Sequence, residues 1–139
     1  MTHSMSLRIM TPLAIIVDKP ASSLRAMDAS GSFGILPGHA DFLTRLAVSV
    51  VSWTTADGAQ QFCAVRGGAL TVRGGHVAIA TREAVMGDDL ATLDRDVLAR
   101  FRAEVDEERV EHVETTRLHL TAMRQMLARL QPKPRGVGV

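Results

Sequence analysis

Short apolar runs separated by turn residues fill the chain from Leu7 to about Gly87, the rhythm of an all-β sandwich or barrel. Nine segments have strand length: 7–10, 13–17, 23–27, 33–36, 46–53, 60–65, 69–72, 77–81 and 84–86. Asp57-Gly58 separates two of them and Gly74-Gly75 another two, and both dipeptides are strong hairpin signals. Between 46 and 50, Leu46, Val48 and Val50 alternate with Ala47 and Ser49, which predicts a half-buried strand.

The period changes at Asp88. Leu90, Leu93, Val97, Phe101 and Val105 recur every three or four residues, and neither Gly nor Pro occurs again until Pro132. This stretch reads as helix. Asp88 or Asp89 is placed to cap it, because a short carboxylate can accept the unpaired N–H groups of a first helical turn. A second stripe follows in Val113, Leu120 and Leu127, flanked by Val110, Met123 and Leu130. With no breaker between the stripes, one long helix and a hairpin turning near 107–112 both fit. Pro132 and Pro134 cannot continue a helix, so a disordered tail is expected at 132–139. The domain reading is a β-sandwich over 1–87, a helical domain over 88–131 and that tail.

Composition removes several classes of function. Sixteen Lys and Arg oppose fifteen Asp and Glu, for a formal net charge of +1, so there is no basic field to hold a nucleic-acid backbone. Four Phe, one Trp and no Tyr leave too few rings for stacking bases. No apolar run reaches the roughly 20 residues needed to span a bilayer, so no direct membrane insertion is expected. Ten of the fifteen acidic residues lie at or after Asp88, which makes the tail a charged amphipathic unit. The single Cys63 sits in an apolar run and reads as a small core residue.

The most informative stretch runs from Gly31 to Leu43: Gly-Ser-Phe-Gly-Ile-Leu-Pro-Gly-His-Ala-Asp-Phe-Leu. Pro37 presets one central dihedral of a type II turn and Gly38 supplies the positive φ of the other, so His39 is presented at a fixed place outside the sheet. From physics alone a recognition loop and a plain sandwich corner fit equally well. His39 and Asp41 are spaced to share a strand face, yet no nucleophile accompanies them. The five histidines lack ligand spacing for a metal. Gly67-Gly68 and Gly74-Gly75 open onto no helix, so they read as a bulge and a turn rather than phosphate loops.

Gly31-x-x-Gly34-Ile35-x-Pro37-Gly38-His39-Ala40 resembles the hallmark of the epsilon subunits of bacterial and chloroplast rotary ATP synthases. Residues 7–10 are similar to the opening strand of that family, and Gly67-Gly68-x-Leu70-x-Val72 resembles its Ser-Gly-Gly-x-x-Glu-Val segment. Gly87-Asp88-Asp89-Leu90 falls where its sandwich gives way to helices, so the resemblance covers about 7–90. It implies a sandwich of about ten strands that packs one face on the gamma subunit and rests on the c-ring, followed by two C-terminal helices. The function implied is that of a non-catalytic central-stalk subunit, coupling ion flow through the c-ring to ATP synthesis and needing no cofactor. On this reading Ser32, Phe33, Pro37, Gly38, His39 and Asp41 form the subunit interface. The helices would reach the alpha and beta subunits and restrain ATP hydrolysis, and the expected location is the cytoplasmic face of the bacterial plasma membrane, held there through the complex.

Some positions depart from the family pattern. Ser32 stands in place of a glutamate and Thr71 in place of another, as expected of a divergent branch such as one serving a sodium-driven enzyme. Glu114-Thr115-Thr116-Arg117 matches the family's ATP-holding motif poorly, and a solvated i, i+3 charge pair is the simpler reading. Removing everything after Gly87 is expected to leave assembly largely intact and to raise ATP hydrolysis, because the helices carry no part of the sandwich core. The competing function is a generic β-sandwich adapter with a charged coiled-coil tail; a small sandwich enzyme using His39 and Asp41 is a third.

Overall fold

The computed structural model describes residues 4–130, and the expected tail at 132–139 lies outside them. Seven strands come first: β1 (Met5–Met10), β2 (Ile15–Asp28), β3 (Gly31–Ile35), β4 (Phe42–Thr55), β5 (Gln60–Arg73), β6 (His76–Ala80) and β7 (Ala84–Gly87). The helices follow. The β-sandwich class holds, with seven strands where nine segments had been read and about ten implied.

The difference arises from two fusions. Segments 13–17 and 23–27 join into β2, which passes through Pro20 because that part of β2 has β1 alone as a neighbour. A residue without an N–H is tolerated where one strand edge is free. Segments 60–65 and 69–72 join into β5, and the pairing with β4 keeps one register on both sides of Gly67. Gly67-Gly68 is therefore not a register-shifting bulge. It is a left-handed kink, with φ of +69° and +119°, opposite the gap between β6 and β7. A Cβ on Gly68 would lie 2.1 Å from the Ala80 carbonyl oxygen, so the close crossing of backbones excludes any side chain there.

The strands run in the order β1-β6-β5-β4-β2-β3, with β7 also on β5, and β1 pairs back onto β2. The ladder thus closes on itself. Met5, Leu7 and Ile9 of β1 alternate inward and meet Val51, Trp53, Cys63, Leu70 and Ile79 in the main core. In β4 the inward set changes phase: Leu46 is buried, then Ser49, Val51 and Trp53. Val48 and Val50, expected beside Leu46, instead look onto a second cluster formed by the first helical turns. Both faces of this strand are covered, which corrects the half-buried reading.

Helix α1 (Leu90–Thr92) starts beyond Asp89, whose carboxylate accepts the Ala91 N–H at 3.0 Å and the Thr92 hydroxyl at 2.8 Å. A π-helical turn over Leu93–Val97 links it to α2 (Leu98–Leu130). The wide turn, closed by the Leu98 N–H on the Leu93 carbonyl, puts Leu93 and Leu98 on one side together. With Phe101 they cover Ala64, Val48, Val50, Phe62 and Val85. Arg100 ties this segment to the connection between β6 and β7 through a 2.9 Å ion pair with Glu83. The first compact unit accordingly runs through Arg102, past the 87/88 boundary read from sequence, and the helical start does carry part of the core.

The second unit begins at Ala103 and is helical to Leu130. No break occurs at 107–112, so among the described residues the long helix is realised and the hairpin is not. Every residue from Asp106 to Leu130 is exposed, including the stripe of Val113, Leu120 and Leu127. Its acidic residues end at Glu114 and Arg117, Arg124 and Arg129 follow, an order that opposes the helix dipole favourably.

Candidate functional site

The Pro37-Gly38 corner has the geometry its sequence dictates. The His39 N–H donates to the Leu36 carbonyl at 3.1 Å and Gly38 has φ +86°, the bond and the dihedral of a type II turn. Beyond the turn, His39 Nδ1 lies 2.6 Å from the Ala40 carbonyl oxygen. A carbonyl can only accept, so the proton in this contact is on Nδ1, and a neutral His39 keeps Nε2 as an acceptor. The ring meets Phe42 edge to face at 5.7 Å, and Phe42 meets Phe33 in the same manner at 5.7 Å.

Asp41 turns elsewhere. Its carboxylate accepts the Gly74 N–H at 3.1 Å, in the two-residue turn between β5 and β6 where both glycines have positive φ. His39 and Asp41 therefore do not form a base and its orienting partner. Ser32 is exposed on β3, opposite Met27. A second carboxylate, Asp28, holds the neighbouring β2–β3 turn: it accepts from the Ser30 hydroxyl and N–H and, at 2.8 Å, from the Thr44 hydroxyl of β4. Those bonds hold its carboxyl below the usual value, the Ser30 hydroxyl contributing most and Thr44 next.

Of the six residues read from sequence, Pro37, Gly38 and His39 form the turn, Phe33 joins it through Phe42 and packs against the main core, Asp41 turns to Gly74, and Ser32 lies exposed further along β3 with no contact to the turn shown. Sequence reasoning missed three apolar neighbours: Leu36 and Leu43 are 63% and 70% exposed, and Phe42 is 37% exposed. No local signal marked them, since adjacent apolar strand residues can both be buried where both faces of a strand are covered, as in Cys63-Ala64-Val65. Exposed apolar side chains beside a rigid turn are suited to protein contact.

Chemistry elsewhere is sparse. Among the described residues no three His, Cys, Asp or Glu side chains converge to hold a metal ion. Burial pushes the Cys63 thiol up to about 11, so it is protonated and unreactive at neutral pH. Glu114 and Arg117 are both exposed and show no bond to each other. No helix among the described residues is long and apolar enough to cross a membrane.

Residues 4–87 match the β-sandwich domain of the ATP synthase delta/epsilon chains. ATP synthase epsilon chain 2 of Paraburkholderia xenovorans (strain LB400) is 46% identical over 134 residues, 95% of this chain and 96% of its own. Epsilon chain 2 of Cereibacter sphaeroides is 41% identical over 133 residues, 94% of this chain and 91% of its own. The chain belongs to the ATP synthase epsilon-chain family. A chain in the cryo-EM structure of the Euglena gracilis mitochondrial ATP synthase has the same fold, with TM-score 0.59 and 22% identity over 78% of this chain. This chain covers 65% of that one, slightly under two thirds of its length.

Proposed function

We propose that the protein is a non-catalytic subunit of the rotor stalk of an F-type ATP synthase, coupling ion flow through the membrane c-ring to ATP synthesis. The observation that carries this reading is the 46% identity, across nearly the whole of both chains, to an ATP synthase epsilon chain 2. The sandwich, 1–87, serves docking: one face meets the gamma subunit, and the corner of Ser32, Phe33, Pro37, Gly38, His39 and Asp41 meets the stalk and c-ring. Its support is physical, since a preorganised turn with exposed Leu36 and Leu43 loses little entropy when it binds.

The helical part, 88–131, reaches the alpha and beta subunits and restrains ATP hydrolysis, while its first turns also serve as cover for the sandwich. The subunit works at the cytoplasmic face of the bacterial plasma membrane, held there by its partners. Co-expression with the gamma subunit of its own organism, captured through a tag on gamma, tests the first half. Stoichiometric recovery is expected, and failure to co-purify would overturn the stalk reading in favour of the adapter. ATPase assays of the assembled soluble sector, with the chain whole or ended after Arg102, test the second. Faster hydrolysis is expected with the shortened chain, and equal rates would remove the inhibitory role.

A further inference from the structure

Val110, Val113, Leu120 and Leu127, each at least 50% exposed, line one face of α2 at coiled-coil spacing. Three charges share that face: Asp106, four residues before Val110, and Arg117 and Arg124, three residues before Leu120 and Leu127. A shallow groove of about 710 Å³ follows it, with Val113, Arg117, Leu120 and Arg124 in its lining. An apolar stripe left in water on a long helix is a cost that a partner removes.

The order of the charges selects the partner. Two copies laid parallel would set Asp106 on its twin and each arginine on its twin, which repels. Turned antiparallel, with Val110 opposite the partner's Leu120, the same spacing sets Asp106 opposite the partner's Arg124 and Ala103 opposite its Leu127. Arg117 then crosses the partner's Val113, where its aliphatic stem packs. Flanking charge agrees, because five glutamates lie between 104 and 114 and no acidic residue lies between 115 and 130. Within one chain the two halves cannot meet while α2 runs unbroken from Leu98 to Leu130, and the helix holds no glycine or proline to break it. The complement has to come from a second copy.

We infer that two free copies of this chain pair through α2 as an antiparallel coil, each Asp106 against the other's Arg124. The pairing belongs to the unassembled chain, since it covers the helix proposed to reach the alpha and beta subunits, and it does not rest on that proposal. Sedimentation equilibrium of the full-length chain over a range of concentrations tests it, with Asp106→Arg and Arg124→Glu.

A monomer–dimer equilibrium is expected for the parent. Each variant alone sets like charge on like at both ends of the two-fold pair, and is expected to raise the dissociation constant about tenfold. An equimolar mixture of the two is expected to pair with parent affinity, because every charge then meets its opposite. Both positions are exposed, so neither change should lower the melting temperature. Oxidative linking reads the orientation. Val110 opposite Leu120 centres the pair at residue 115, so Thr116→Cys is expected to link to its twin. Leu127→Cys is expected not to link, since the two copies of that position lie about 36 Å apart, and the buried Cys63 takes no part. A monomer at every concentration would overturn the pairing, as would parent-like affinity in both charge variants or no recovery in their mixture. Linking through Leu127→Cys would overturn the antiparallel arrangement.

Discussion

The Asp41 carboxylate reaches across the end of the domain to the Gly74 N–H, at 3.1 Å, and so fastens the Pro37-Gly38 corner to the β5–β6 turn. Two turns distant in sequence become one rigid end through a single bond. Asp41→Ala is expected to cost under about 1 kcal/mol, as suits an exposed hydrogen bond, yet to speed hydrogen exchange at Gly74 and His39. Asp41→Asn keeps an acceptor and should leave both amides protected. Unchanged exchange in the alanine variant would show that the corner is held by its own turn alone.

Leu93, Leu98 and Phe101 bury the outer side of β4, β5 and β7, so where the chain is cut matters. Burial of three such side chains contributes roughly 5–9 kcal/mol as an upper bound, comparable with a whole domain's stability of about 5–15 kcal/mol. A chain ended at Gly87 should therefore bind a hydrophobic dye and lose cooperative melting, while one ended at Arg102 should melt like the parent. Phe101→Ala should cost about 3–5 kcal/mol. A stable, dye-negative 1–87 fragment would refute this account.

Gly68 has no freedom to change. Its φ of +119° and the Ala80 carbonyl oxygen, 2.1 Å from any Cβ, act together. Gly68→Ala should destabilise by at least about 2 kcal/mol, read as a drop in the urea midpoint, whereas Gly58→Ala in the open β4–β5 turn carries the strain of positive φ without the clash and should cost less. Equal costs would mean that the backbones can move apart.

Three carboxylates are expected to contribute to the acid limit. Hydrogen bonds, chiefly from the hydroxyls of Ser30, Thr55 and Thr92, hold Asp28, Asp57 and Asp89 below the ordinary 3.8. A folded value lower than the unfolded one gives stability that is complete above the ordinary value and is lost as pH falls through the folded values. Melting should consequently be insensitive to these groups above about pH 5 and decline below about pH 4. Replacing all three by asparagine should flatten that decline, and an unaltered acid limb would assign it to other carboxylates.

How much of this could be read beforehand depended on how local the cause was. The Pro37-Gly38 turn, the Gly74-Gly75 turn and the Asp89 cap are each decided by a few neighbouring atoms, and all three stood legible in the sequence. β2 and β5 were each split in two, at Pro20 and at Gly67-Gly68, because a proline or paired glycines end a strand only if the partner strand requires that N–H or straight backbone. Here the partner is missing at one site and tolerates a kink at the other. Leu93 and Phe101 stood in the apolar stripe read from the sequence, whereas Leu98 fell off it because the π-turn shifts the helical period between them. Of the corner, the polar residues were visible and Leu36 and Leu43 were not, since exposure depends on which strands fail to cover them.

The closure of β1 onto β2 gives the domain the mechanics of a hoop. In an open sheet an outer strand can be peeled away one rung at a time, and the force needed is that of a single rung. In a ring held by strands of fourteen residues, a load directed along β2, β4 or β5 meets many rungs in parallel and is resisted as shear. A part built in this way can be gripped at one end and turned without unravelling.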